Sequence, residues 1–258
     1  MFAGSFQSGP FVEIINPSTL VHAKDVDVFI VESGKIVPTY DKAAQSTILA
    51  AGNGGATLRL PSKDYVGCTI ASHSCPIPLV VHKFACPPVN LAQRCLVLQV
   101  FLTSDKPFTL ALTCLDSQNV RQRFVLSTAF REPSSTPLHT QVPLPEMQRG
   151  CWISFGLDLE GLLNACCKQS FKSTEEIRLG AVAKLRRIFT VPTLDSIPAK
   201  LQFSHKVPYI AVLFDSAEIS GFWAARQHES KRANSQNRLS SAGSPVARSP
   251  SSNVYRRG

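Results

Sequence analysis

The chain has 258 residues, 44% of them hydrophobic and 17% charged, enough for one large β domain or two small ones. A body of this size buries roughly 70% of its unfolded surface, so it needs no disulfide or metal to fold. The net charge of +9 is uneven: from Arg226 onward seven Lys/Arg oppose one acid, Glu229, so the last 33 residues carry +6 and residues 1–225 carry +3. A basic tail of this kind is either a solvated terminus or a partner for acidic surfaces. The first residues lack the basic and apolar regions of a secretory signal, and no run of about 18 apolar residues is present to span a membrane. The expectation is a cytoplasmic or cytoskeletal protein without membrane insertion, whose eight cysteines are buried thiols rather than bridges.

Strand-like stretches dominate in chain order. "FVEII" (11–15) is short and bounded by proline, and "DVDVFIVES" (25–33) alternates with Val26, Val28 and Ile30 on one face. "STILAA" and "ATLRLP" flank "GNGG" (52–55), a turn that supplies positive φ and closes a predicted hairpin. "CLVLQVFLT" (95–103) and "FTLALTCLD" (108–116) are joined by "SDKP", and "DSQN" then leads into "NVRQRFVLST" (119–128). "LDLEGLLNACCKQSF" changes period: Leu159, Leu162, Leu163 and Cys166 recur at helical spacing behind Asp158, a capping residue. "EEIRLGAV" and "KLRRIFTV" return to strand character, and "VPYIAVLF" (207–214) is a last strand or a docked segment. Short strands separated by turns, with one amphipathic helix, predict a mostly β, antiparallel, jelly-roll-like β-sandwich. Its domain covers residues 1–191, interrupted by an atypical proline- and cysteine-rich insert at 68–90. A weakly structured extension (192–226) and a disordered basic tail (227–258) follow.

Catalytic and metal patterns are weak. Cys68, His73, Cys75, His82 and Cys86 lack the closely spaced cysteine knuckle of structural zinc sites, so neither a metal nor a cofactor is expected. Nucleophile, metalloprotease and phosphate-loop signatures are missing, the six histidines are scattered, and "GNGG" joins two strands rather than opening a helix; no enzyme is expected. The basic strands remain. In "NVRQRFVLST", alternation puts Val120, Gln122, Phe124 and Leu126 on one face, Phe124 and Leu126 toward the core, and turns Arg121 and Arg123 outward. In "AKLRRIFTV" (183–191), Leu185, Arg187 and Phe189 share one face, with Lys184 and Arg186 on the other. Such arginines either keep a sheet wet or meet an acidic partner, since guanidinium pairs well with carboxylate. Nucleic acid is the poorer fit, because single-strand recognition needs aromatics beside the basic groups, and most Phe fall at core positions.

"MFAGSFQSGPFVEI", "RCLVLQVFL", "NVRQRFVLSTAFREPSSTPLHTQVPL", "CWISFGLDLEGLL" and "AKLRRIFTV" occur in the order seen in the cilia- and flagella-associated protein 20 family, which this chain resembles over residues 1–191 apart from the insert. The long "LSTAFREPSSTPLH" passage is that of one branch rather than of the founding member. The resemblance implies a jelly-roll sandwich with one helix and a structural, non-enzymatic role in the axoneme of cilia or flagella, or at the centriole or basal body. The implied partners are tubulin, microtubules or axonemal proteins. The contact candidates, Arg121, Arg123, Lys184, Arg186 and Arg187, come from charge and exposure, because the family defines no compact motif for them. The insert has no counterpart in the family pattern and is either a lineage-specific loop or retained intron sequence. Ser244-Pro245 and Ser249-Pro250 resemble proline-directed phosphorylation sites whose phosphates would cancel part of the tail's charge. The competing readings are a carbohydrate- or ligand-binding module, against which the wide separation of Trp152 and Trp223 counts, and an assembly adaptor without direct tubulin contact.

Overall fold

The computed structural model describes residues 7–17, 30–51, 56–60, 89–102, 106–136, 139–215 and 217–221, all within the unit Met1–Trp223. The strands are β1 (Val12–Ile15), β2 (Ile30–Ser33), β3 (Ile36–Asp41), β4 (Ser46–Ala51), β5 (Ala56–Leu60), β6 (Cys95–Leu102), β7 (Thr109–Asp116), β8 (Arg121–Ser127), β9 (Ser134–Ser135), β10 (His139–Pro143), β11 (Trp152–Asp158), β12 (Phe171–Val191) and β13 (Tyr209–Phe214). Helix α1 (Leu159–Cys167) lies between β11 and β12, and residues 217–221 are also helical.

The 21-residue β12 organises the fold, because its two halves belong to different sheets. Residues 171–182 pair with β7 on one side and β5 on the other, giving a first sheet ordered β2-β5-β12-β7-β8-β10-β9. Residues 182–191 pair with β6, and through it with β11 and β13, while β4 and β1 take the opposite side. The expected sandwich is therefore present. Two pairings, β8 with β10 and β11 with β13, are parallel, so the sheets are mixed.

The shared core follows from alternation. Leu110, Leu112 and Cys114 of β7 and Phe124 and Leu126 of β8 meet Leu96, Leu98 and Val100 of β6 and Phe155 and Leu157 of β11 in one buried cluster. Each such apolar side chain contributes about 1.5–3 kcal/mol on leaving water. Helix α1 buries Leu159, Leu162 and Leu163 in the same cluster, as its periodicity predicts. Asp158 caps it by accepting a hydrogen bond from Gly161 N at 3.0 Å, and Lys168 ends it in the left-handed region at φ 58°.

One expectation changes. The strands flanking 52–55 do not pair with each other: β4 pairs with β3 and β12, and β5 pairs with β2 and β12. The hairpin partner of β4 is β3, a strand that its exposed, weakly alternating residues concealed. Its turn is held by Asp41, whose Oδ1 accepts from Ala43 N at 2.8 Å and Ala44 N at 3.1 Å. β6 and β7, also joined by a turn signal, enter different sheets. A turn signal reports that the chain bends, not that the flanking strands pair.

The extension after Val191 is more structured than expected. It forms two 3-10 turns and then β13, which adds an edge to the second sheet. It also covers the outer side of β6, where Cys95 and Val97 pack with Phe189 and Leu201, and Phe203 joins Trp152. Gly156 permits this approach: a Cβ there would meet Leu194 Cδ2 at 2.9 Å and Leu213 Cδ2 at 3.0 Å. That burial on both faces explains why "CLVLQVFL" is apolar almost throughout. Residues 25–29, 52–55, 68–88 and 227–258, including Ser244, Ser249 and the metal candidates of the insert, lie outside the described residues, as does Trp223.

Candidate interaction surface

The outer face of the first sheet carries a grid of polar side chains in register. One cross-strand row runs His139 (β10), Arg123 (β8), Thr113 (β7), Glu176 (β12). The next runs Gln141, Val125, Ala111, Arg178. Neighbouring strands lie about 4.8 Å apart, so each row is a continuous contact stripe. The burial pattern of β8 has Arg121 and Arg123 exposed and Gln122, Phe124 and Leu126 buried, as alternation predicts. Arg123, Glu176 and Arg178 surround a small depression with Thr113 at its edge. Thr113 Oγ1 donates to Glu176 Oε2 at 3.3 Å. Lys172, also exposed, donates to Asn119 Oδ1 at one end of the face.

Arg121 is exposed but engaged: its Nε lies 2.7 Å from Glu175 Oε2, with 46% of its side chain accessible against 11% for Glu175. Glu175 reaches it because the β12–β7 ladder shifts register between Thr174 and Glu176, leaving Glu175 as the extra residue of a bulge.

The other three basic candidates lie on the second sheet and have different fates. Lys184 is 37% accessible, donates to Asp41 Oδ2 at 2.6 Å, and has its Nζ 5.1 Å from the centre of the Phe101 ring. Burial raises the Asp41 carboxyl, but the Lys184 hydrogen bond and charge, with the backbone donors of Ala44 and Ala43, outweigh it and hold the group below its ordinary value. Arg187 sits 3.1 Å from Glu13 Oε1, a charge contact without hydrogen-bond alignment, and donates to Lys200 O at 3.4 Å.

Arg186 corrects the expectation of a surface arginine: it is buried, with 7% of its area accessible. The β12–β6 ladder shifts between Leu185 and Arg187, so Arg186 is the extra residue of a second bulge and strict alternation fails there. Leu185 and Ile188 then share the main core, while Phe189 joins the cluster beneath the 3-10 turns. The guanidinium donates to Gln99 Oε1, to Ser46 Oγ at 3.2 Å and to Leu201 O at 3.4 Å, and stacks 4.7 Å over Phe203. Burial, then the neighbouring Arg187 charge, lowers its pKa to about 10, which still leaves it protonated at neutral pH. The five candidates therefore do not form one patch. Arg121 and Arg123 share a face with Lys172, Arg178 and Glu176, which the sequence reading did not single out, although "EEIR" placed two of them two residues apart in a strand.

A separate depression of about 320 Å³ is lined by Arg94, Cys95, Asp158, Glu160, Leu194 and Asp195, among others. Burial, then Asp158, pushes the Cys95 thiol up to about 11, so it is a poor nucleophile. Trp152 packs between Phe101 and Phe203 at 5.8 and 5.6 Å, so it is a core residue rather than an exposed platform for a sugar ring. No group of three or more His, Cys, Asp or Glu among the described residues is arranged to hold a metal ion. No helix among them is long and apolar enough to cross a membrane.

These features define a mostly β protein of sandwich type with an open, charged sheet face. The chain belongs to the CFA20 domain family, which matches residues 1–205 and is a family of cilia- and flagella-associated, non-catalytic proteins. The match reaches past Val191 into the segment that covers β6. Among solved structures, an exo-β-agarase is similar over 71% of this chain at 10% identity and a TM-score of 0.27, a likeness that carries no argument about function. The chain spans about a quarter (24%) of that protein's length.

Proposed function

We propose that this chain is a non-enzymatic structural protein of the axoneme or basal body. It binds microtubules, or a protein bound to them, through the open outer face of the first sheet. The observation that carries the reading is the contrast between the two outer faces. On the second sheet, the outer side of β6 is covered by the 192–207 segment and Arg186 is consumed internally. On the first, Arg121, Arg123, Lys172 and Arg178 are exposed side by side. The outer surface and tails of tubulin are acidic, and guanidinium groups fixed on a rigid sheet meet carboxylates without ordering a loop first.

Co-sedimentation of the full chain with microtubules across a salt series tests this. Binding should weaken as salt rises, because exposed charges are screened over about 10 Å at 0.1 M. Arg123→Glu should weaken pelleting roughly fivefold, at about 1 kcal/mol for the reversed charge, while the melting temperature holds, whereas Arg121→Glu also breaks the pair with Glu175 and should lower it. Absence of pelleting at low salt, with or without the acidic tails of tubulin, overturns direct contact and leaves an assembly-adaptor role.

A further inference from the structure

The edges of the two sheets are not built alike. The first sheet ends in β9, two residues long, and β2, four residues long. The far edge of the second is shared by β1, which contains Glu13, and β3, where Pro38 has no N–H to donate. Short strands, charge and proline all blunt an edge against unwanted pairing. The remaining edge, β13, has none of these. It reads "YIAVLF", six residues without charge or proline, and its ladder to β11 runs unbroken from Trp152↔Tyr209 to Leu157↔Phe214. Among the described strands nothing pairs with its other side. Phe214 is in the core and Val212 packs against it, whereas Tyr209 and Leu213 are 40% and 44% accessible with exposed Ala211 between them.

The flanks of this strand select its occupant. His205 and Lys206 are exposed just before it, and Asp215 and Glu218 are exposed just after it. A segment lying antiparallel along β13 must therefore be apolar in the middle, acidic where it meets Lys206 and basic where it meets Asp215. A second copy of the same strand, turned about a two-fold axis, has that pattern. Each Lys206 then approaches the acidic end of the other copy, and like charges meet only if the copies run parallel. We propose that β13 is a dimerisation edge: two chains pair antiparallel along Tyr209–Phe214 and join their second sheets into one. Isologous pairing of this kind satisfies the open backbone groups of both edges at once.

Sedimentation equilibrium of the full chain is the direct test, with a concentration-dependent mass rising to two chains as the expected result. Ala211→Lys and Ala211→Glu place charge at an exposed position, and each protein alone should sediment as one chain with an unchanged melting temperature. Mixed in equal amounts, the two variants should regain the two-chain mass. Leu213→Lys supplies the same readout at a second exposed position if either Ala211 variant is unstable. A wild-type chain that stays monomeric at every soluble concentration overturns the proposal. So do charged variants that remain dimeric, or a mixture that stays monomeric. The outcome is independent of microtubule pelleting, which reads the other sheet.

Discussion

Arg186 and Asp41 carry charges into the protein by different means, and each means has a measurable consequence. The Arg186 guanidinium is surrounded by neutral acceptors and an aromatic ring, so its burial is offset by hydrogen bonds and ring contact rather than by an opposite charge. Arg186→Met keeps the apolar stem but strips Gln99 Oε1 of its donor, and should cost about 1–3 kcal/mol in urea unfolding. Adding Gln99→Leu removes the stranded acceptor, though it also removes the 2.7 Å bond from Gln99 Nε2 to Leu201 O, so recovery should be partial. Neither change should alter microtubule pelleting, which separates this arginine from Arg123. Asp41 behaves oppositely. Its folded-state pKa lies below the ordinary 3.8, so its contribution is fully present above that value and is lost as pH falls through the folded pKa. The urea midpoint should therefore drop on going from pH 5 to pH 2.5, and the drop should be smaller in Asp41→Asn. An equal drop in both proteins would show that the Lys184–Asp41 contact contributes nothing.

At the scale of elements, β12 shows why period-two reading succeeds in one place and fails in another. Arg121 and Arg123 are separated by a buried Gln122, and their outward placement was legible because β8 pairs without a shift against both neighbours. "TEEI" and "LRRI" instead put two like charges in succession, each followed by isoleucine, and each proves to be a bulge. The first member of each charged pair, Glu175 or Arg186, is the extra residue and is buried. Doubled charge inside a strand was the available signal, and strict alternation overrode it. Helix α1 was legible because both its leucine spacing and its cap are local. Asp158→Ala removes the bond to Gly161 N and should cost about 1 kcal/mol, lowering the melting temperature by about 2–4 °C for a domain of this size. An unchanged melting temperature would mean that tertiary packing alone holds the helix start.

At the scale of the whole molecule, the two layers decide which groups solvent can reach. Cys114 is fully buried in the core and its thiol is pushed up to about 12, chiefly by that burial, while Cys151 is half-buried. Thiol reagents at pH 8 should therefore modify Cys114 only as fast as the domain opens, and addition of urea should accelerate it sharply. Modification of Cys114 in the native protein at the rate of Cys151 would contradict the shared core. The same layering divides the basic residues. Those of β8 stand on an open face, and those of β12 near residue 186 are paired or buried beneath the chain that returns after Val191. What the amino-acid order alone determined is what neighbouring residues dictate: the period of the strands, helix α1 and its cap, the turn into β8 and the outward aim of its arginines. Which strands pair, where β12 passes between sheets, and which charges are covered were decided by the tertiary structure. Hydrogen-bond register and burial are set by partners distant in the chain, and no local pattern specifies them.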